Sequence, residues 1–179
     1  VVFHLLGLCL ELFKTHPAIA SWSYPEFAYS KISGVPLYSG FMYAAVASYV
    51  VQAWRLFELK LENYPSCWLS VPLASLIYLN FFSHHFIGDF RWWLCIGLIY
   101  VFRKTRVTFT PGRRELRMPL LGSFLLIGFF IWIAENISTY FGAWVYPNQS
   151  HVWQLVHIGK ISSWSLLVVI TIIIVADLK

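Results

Sequence analysis

The hydrophobic positions of this chain run in long blocks and do not follow the spacing of a half-buried strand or a one-sided helix. Gly34–Phe57 is the first complete block, entered through Val35-Pro36, where proline suits a first helical turn, and closed by Trp54-Arg55. Its Gly40, Ala44, Ala45, Ala47 and Ser48 suit close helix packing. Cys67–Phe86 is the second block, with Pro72 near its start. Phe90–Phe102 is shorter, fitting a tilted or re-entrant span, and follows the preceding block through Ile87-Gly-Asp89. Met118–Tyr140 is the third clear span, and Val152–Ala176 the last, ending in the β-branched run Val168–Val175. Ahead of them Val1–Phe13 is apolar but falls short of the roughly 20 residues a spanning helix needs, and reads as the remaining end of a longer helix. The pattern predicts an all-α fold: a polytopic transmembrane helical bundle of about five spans plus a truncated N-terminal helix, forming one domain over residues 1–179.

The connections set the expected topology. Lys14–Ser33 is polar and aromatic, with Thr15-His-Pro17 and Ser21-Trp-Ser-Tyr-Pro-Glu26 arguing against a span. Glu58–Ser66 reads as a short charged turn, and Arg103–Arg117 as a basic loop turning at Pro111-Gly112. The positive-inside rule places that loop in the cytoplasm, with Arg55–Ser66 and Lys179 on the same side. Lys14–Ser33, Ile87–Arg91 and Phe141–His151 fall on the other side.

Composition agrees with a membrane protein. Hydrophobic residues make up 59% of the chain, charged residues 12%, and the mean hydropathy is +0.66, against roughly 45–50% apolar and about 25% charged in ordinary globular proteins. The formal charge of +5 does not indicate nucleic acid, because nearly half of the basic residues lie in the one short loop. Arg103-Lys104 and Arg113-Arg114 could instead hold anionic lipid headgroups, although a topological role is sufficient for them. Cys9, Cys67 and Cys95 stand at wide spacings without a Cys-x-x-Cys, so neither a disulfide nor a zinc ribbon is indicated.

Candidate chemistry gathers on the predicted non-cytoplasmic side. Glu135 and Asn136 lie at the far end of a lipid-compatible run, and a carboxylate at membrane depth is a functional candidate by default. A carboxyl group in a dry site favours its protonated form and can donate a proton to an alkene or carbonyl of a bound lipid. Glu26 is the candidate partner acid, with Asn136, His84, His85, His157, Trp144 and Tyr146 as pocket residues. An ion pair with Lys160 or a hydrogen bond to His157 explains Glu135 equally well, and the 19% aromatic content equally fits interfacial belts. On a helix Asn80 and His84 share one face, and His85 and Asp89 the next. His85 and Asp89 are weak metal candidates, for which an Asp89–His85 hydrogen bond with Arg91 neutralising the acid is the plainer account. No cofactor is named by these residues.

Gly34-Val-Pro-Leu-Tyr-Ser-Gly-Phe-Met-Tyr-Ala-Ala-Val-Ala-Ser-Tyr49, Tyr78-Leu-Asn-Phe-Phe-Ser-His-His85, Arg117-Met-Pro-Leu-Leu121 and Ala134-Glu-Asn-Ile-Ser with Gly142-Ala-Trp-Val-Tyr-Pro-Asn148 resemble the bacterial membrane family known as domain of unknown function 817. That resemblance covers most of the chain and implies a multi-span inner-membrane protein with spans upstream, without an established activity. A weaker similarity links Glu135, Gly142-Ala-Trp-Val-Tyr146 and Pro25-Glu26 to carotenoid-biosynthesis proteins of the lycopene-cyclase type, although Phe27 stands where those carry a second acid. The expected function is the binding or modification of a hydrophobic, isoprenoid-like lipid by carboxylic-acid chemistry. A small-solute or proton transporter and a non-catalytic subunit of a membrane complex are the alternatives. The expected partners are membrane lipid and other membrane subunits, not nucleic acid.

Overall fold

The computed structural model describes the chain from Val2 to Asp177, with side chains from His4 to Ala176. Its helices are α1 (Val2–Thr15), α2 (Ser39–Leu56), α3 (Cys67–Ser83), α4 (Arg91–Phe102), α5 (Leu120–Tyr140) and α6 (Lys160–Asp177). Between them, among the described residues, lie five short strands: β1 (Lys31–Ile32), β2 (Val35–Pro36), β3 (Lys60–Glu62), β4 (Arg106–Phe109) and β5 (Leu116–Pro119). The expectation of an all-α, five-span bundle is therefore overturned. Two small antiparallel sheets are present, and among the described residues α5 alone is long and apolar enough to cross a membrane.

The helices are shorter than the apolar blocks because local chemistry stops them. Ser33 and Gly34 take positive φ values of 50° and 82°, making a two-residue turn in which Ile32 pairs with Val35. Val35-Pro36 is thereby spent in a hairpin, and α2 begins at Ser39. Gly88, at φ +115°, interrupts the chain between α3 and α4. Tyr146–Gly159 is a turn of 3-10 helix at Pro147–Gln149 and irregular chain, so α6 starts only at Lys160. At 17 and 12 residues, α3 and α4 rise roughly 25 and 18 Å, against about 30 Å of bilayer hydrocarbon. The multi-pass inner-membrane placement thus loses its basis in helix length.

By internal contacts the chain forms two compact units: the residues up to Tyr49 with Ile133–His157, and Val50–Trp132 with the stretch from Ile158. In the second, α3 packs against both α4 and α6 around Leu73, Ile77, Leu94, Leu98, Val169 and Ile173. Phe102 and Phe124 meet edge to face at 5.9 Å in that core. The charged turn and the basic loop of the sequence reading become one sheet, ordered β3-β4-β5. Arg106-Val-Thr-Phe109 carries β-formers, with Val107 and Thr108 buried and Arg106 exposed. Across the sheet Glu62 accepts hydrogen bonds from the Thr108 hydroxyl (3.0 Å) and the Arg117 guanidinium, so charges that read as loop are cross-strand partners.

Gly128 shows how tightly α5 and α6 pack: a Cβ there would lie 2.8 Å from the Ile161 carbonyl oxygen and 2.9 Å from the Ser165 amide nitrogen, backbone atoms that cannot swing aside. At Gly122 the nearest atom, the Met118 methyl, is 3.6 Å from such a Cβ. Gly128→Leu is expected to destabilise the protein by about 1–3 kcal/mol. Gly122→Ala is expected to be neutral or stabilising by up to about 1 kcal/mol. Denaturant unfolding of the two variants measures the contrast.

Candidate functional site

The first unit buries charge. α1 carries Glu11 and Lys14 one turn apart, at 2% and 1% exposure. An ionised side chain is tolerated in a dry interior only when hydrogen-bonded or paired. Glu11 accepts three hydrogen bonds from neutral donors: the Trp22 indole (2.8 Å) and Tyr24 hydroxyl (2.7 Å) on Oε2, and the Tyr43 hydroxyl (2.7 Å) on Oε1. Gly7 makes the last of these possible. A Cβ at Gly7 would fall 2.6–2.9 Å from the Tyr43 side chain, so the bare glycine, one turn before Glu11, lets the ring rest on α1 with its hydroxyl at the carboxylate.

Glu135, near the end of α5, is 2% exposed and accepts a hydrogen bond from the Tyr146 hydroxyl. Two backbone hydrogen bonds between Ser23 and Val145, both 2.9 Å, clamp the chain around Trp22–Tyr24 to that around Trp144–Tyr146. Trp22 consequently meets Tyr146 edge to face at 6.5 Å, and a continuous contact path runs Glu11–Trp22–Tyr146–Glu135. Burial, the Glu135 charge and the hydrogen bond to it push the Tyr146 phenol far above its ordinary range. Burial and Glu11 do the same to Tyr24. Both phenols therefore stay neutral donors near neutral pH.

The other predicted residues separate. Asn136 organises the site from below: its side-chain oxygen accepts the Val156 amide (2.9 Å), and its carbonyl accepts the Thr139 hydroxyl (3.2 Å), which in turn receives the Trp153 indole (3.2 Å). Trp144 is half-buried, next to the Val145 that Ser23 holds. Glu26 is exposed, its carboxylate lying over the Gly142 turn, and His157 is exposed as well. His84 and His85 belong to the second unit, with ring centroids 3.9 Å apart. His84 Nδ1 lies 3.1 Å from the carbonyls of Asn80 and Phe81, so it acts as a donor. Asp89 pairs with Arg91 (2.9 Å) and accepts from the Arg91 amide (2.9 Å) and the Asn80 side chain (3.3 Å). Among the described residues no group of three or more His, Cys, Asp and Glu side chains is arranged to hold a metal. A cleft of about 400 Å³ in the second unit is lined by Leu56, Phe57, Glu58, Thr110 and Gly112, none of them a candidate residue of the sequence.

Glu11, Lys14, Trp22, Tyr24 and Tyr43 escaped the sequence reading. Glu11 sits within the apolar Val1–Phe13 stretch, and its spacing from Lys14 was the available signal: an acid and a base one helical turn apart in otherwise lipid-compatible sequence.

The model of the family described as "Protein of unknown function (DUF817)" matches residues 1–172. The chain belongs to that family. It is 62% identical over 178 residues to the uncharacterized protein YoaT of Bacillus subtilis (strain 168), a match covering 99% of this chain and 67% of the relative. No solved structure matches it. Family membership places every residue of the Glu11–Glu135 cluster inside the matched region and assigns no activity to it.

Tyr43→Phe removes one donor from Glu11 and is expected to cost about 1–3 kcal/mol. Gly7→Val displaces the same ring, so adding Tyr43→Phe to it should cost clearly less than in the native background; additive costs in a double-mutant cycle would contradict the arrangement. For Asp89, partial burial raises the carboxyl pKa, but the Arg91 amide, Asn80, the Arg91 charge and His84 together outweigh it, and the net direction is down. A depressed folded-state value means stability present above the ordinary carboxylate pKa and lost as pH falls through the folded one. Below about pH 4, wild type should therefore lose stability that Asp89→Asn does not, measured as acid unfolding curves of the two proteins.

Proposed function

We propose that this chain is a membrane-associated protein that binds or modifies a hydrophobic, isoprenoid-like lipid through carboxylic-acid chemistry at Glu135. The observation that carries the reading is a carboxyl group at 2% exposure, hydrogen-bonded by a phenol that burial keeps neutral, among Trp22, Trp144 and Tyr146. A group so screened from water acts on apolar matter more readily than on a hydrated solute, and its proton, delivered to an alkene or carbonyl, leaves a carboxylate that the Tyr146 hydroxyl stabilises. Membrane association is supported by the length and apolarity of α5. In this reading Asn136 is a positioning residue, acting through the Val156 amide that its side chain accepts.

A second reading, a pathway for protons or a small cationic solute, is favoured by one feature. Among the described residues of the first unit the buried acidic and basic side chains are two acids, Glu11 and Glu135, and one base, Lys14. An excess of acidic over basic side chains suits a cation or proton as cargo.

Glu135→Gln keeps the side-chain shape and removes the acid. Lipid and pigment extracts of cells carrying it should show a changed isoprenoid profile, with Tyr146→Phe giving a smaller change in the same direction. An unchanged profile from folded Glu135→Gln protein defeats the lipid reading. Loss of proton or cation flux in proteoliposomes, with the profile unchanged, would select the second.

A further inference from the structure

The chain's charge excess is concentrated at one end of the second unit. The stretches 55–66 and 103–117 hold eight of the thirteen basic residues and three of the eight acidic ones; the remaining sequence carries five of each. The whole net charge of +5 therefore resides here. The fold brings these stretches together as the β3-β4-β5 sheet and its connections. The short link between α3 and α4 returns α4 antiparallel along α3, so the sheet adjoins the start of α3 and the end of α4. Arg103, Lys104, Arg106, Arg113, Arg114 and Arg117 are all exposed. Arg117 is paired with Glu62; among the described residues Lys104, Arg106, Arg113 and Arg114 have no ion-pair partner.

Directly against this basic end stands uncovered apolar surface. Along α3 and α4, Trp68, Leu76, Ile96, Ile99 and Tyr100 are 84%, 54%, 59%, 56% and 65% exposed, while the opposite faces of both helices fill the core. Trp68 begins α3 and Tyr100 lies near the end of α4, so aromatic side chains mark the border between the apolar face and the cations. Arg103 stacks its guanidinium 4.6 Å from the Tyr100 ring centroid, directing a charge outward from that border.

Cations, then an aromatic row, then aliphatic side chains is the order of polarity met on passing from the headgroups of an anionic bilayer into its hydrocarbon. A nucleic acid would satisfy the cations and leave the apolar face in water, and exposed apolar patches beyond a few hundred Å² are seldom left without a partner. We propose that this end of the second unit is a docking surface for anionic phospholipid. Arg106, Arg113 and Arg114 engage the phosphates, and Trp68 and Tyr100 sit at headgroup depth. The proposal uses none of the Glu11 or Glu135 residues and stands or falls separately from the acid chemistry.

The test is vesicle flotation of the purified full chain, comparing phosphatidylcholine alone with phosphatidylcholine containing phosphatidylglycerol, at low and high salt. Wild type should prefer the anionic vesicles by at least tenfold, and the preference should fall as salt rises. Arg113→Glu with Arg114→Glu, both on an exposed turn, should weaken anionic binding by about thirtyfold or more and leave binding to neutral vesicles and the circular dichroism spectrum unchanged. Arg113→Gln with Arg114→Gln should give a smaller loss in the same direction. Equal binding to both vesicle types, a preference that survives the charge reversal, or displacement from anionic vesicles by an RNA oligonucleotide at matched ionic strength would each overturn the proposal.

Discussion

The first unit depends on one desolvated carboxylate. Glu11 gathers three donors from two places in the chain: Trp22 and Tyr24 from the connection after α1, and Tyr43 from α2. Each donor is itself mostly apolar, so the shell that satisfies the charge also excludes water from it. The arrangement is mutually dependent. Without the carboxylate three polar hydrogens lose their acceptor, and without the aromatic rings the carboxylate has no dry place to sit. Gly7 enters because a side chain there would hold Tyr43 away, so a residue without any functional group controls the geometry of the charged one.

From that centre the order spreads to Glu135 by contact. The Ser23–Val145 bridge is a small piece of backbone pairing, yet it fixes Trp22 against Tyr146 and thereby couples two acids that lie far apart in sequence. The segment beyond Tyr146 has little regular structure, and its polar groups are met individually. Gln149 accepts the Tyr146 amide at 3.2 Å, and Asn136 accepts the Val156 amide at 2.9 Å. Most of this segment is exposed, but where it turns inward, at Tyr146, Gln149 and Val156, such side-chain partners are needed because no ladder of backbone bonds supplies them.

The sequence was most legible where one signal dominated. Among the described residues each helix falls largely within one of the apolar blocks, and the family was recognisable from its ordered sequence blocks. It was least legible where two signals competed. Arg103–Arg117 was read for its charge, which concealed the β-forming Val107-Thr-Phe109 beneath it; strand pairing with Lys60–Glu62 is a long-range event that no local window contains. The block lengths misled for a related reason. Hydropathy runs on through Val35-Pro36 and Val152–Ile158, whereas helical hydrogen bonding starts only at Ser39 in the first case and at Lys160 in the second. Glu135 and Tyr146 stood out as polar or amphipathic groups around a glycine turn, but Glu11 and its donors did not. An acid inside an apolar helix, a tyrosine in a loop and another in α2 acquire meaning only when tertiary structure brings them within 2.7 Å.

The two units handle charge by opposite means, and the difference constrains what each can do. The first withdraws Glu11, Lys14 and Glu135 from water, so their interactions are strong, fixed in direction and little affected by salt. A site of that kind discriminates by geometry and by proton position. The second displays its cations on a sheet and turn where water screens them, so they act collectively, at range and with little demand on the shape of a partner. A water-exposed surface of that kind suits an extended, repetitive polyanion such as a layer of headgroups, whereas the buried acids suit one molecule held in one orientation. That contrast rests on the burial of particular side chains in each unit, and it is the physical ground for seeking the chemistry at Glu135 and the attachment at Arg106, Arg113 and Arg114.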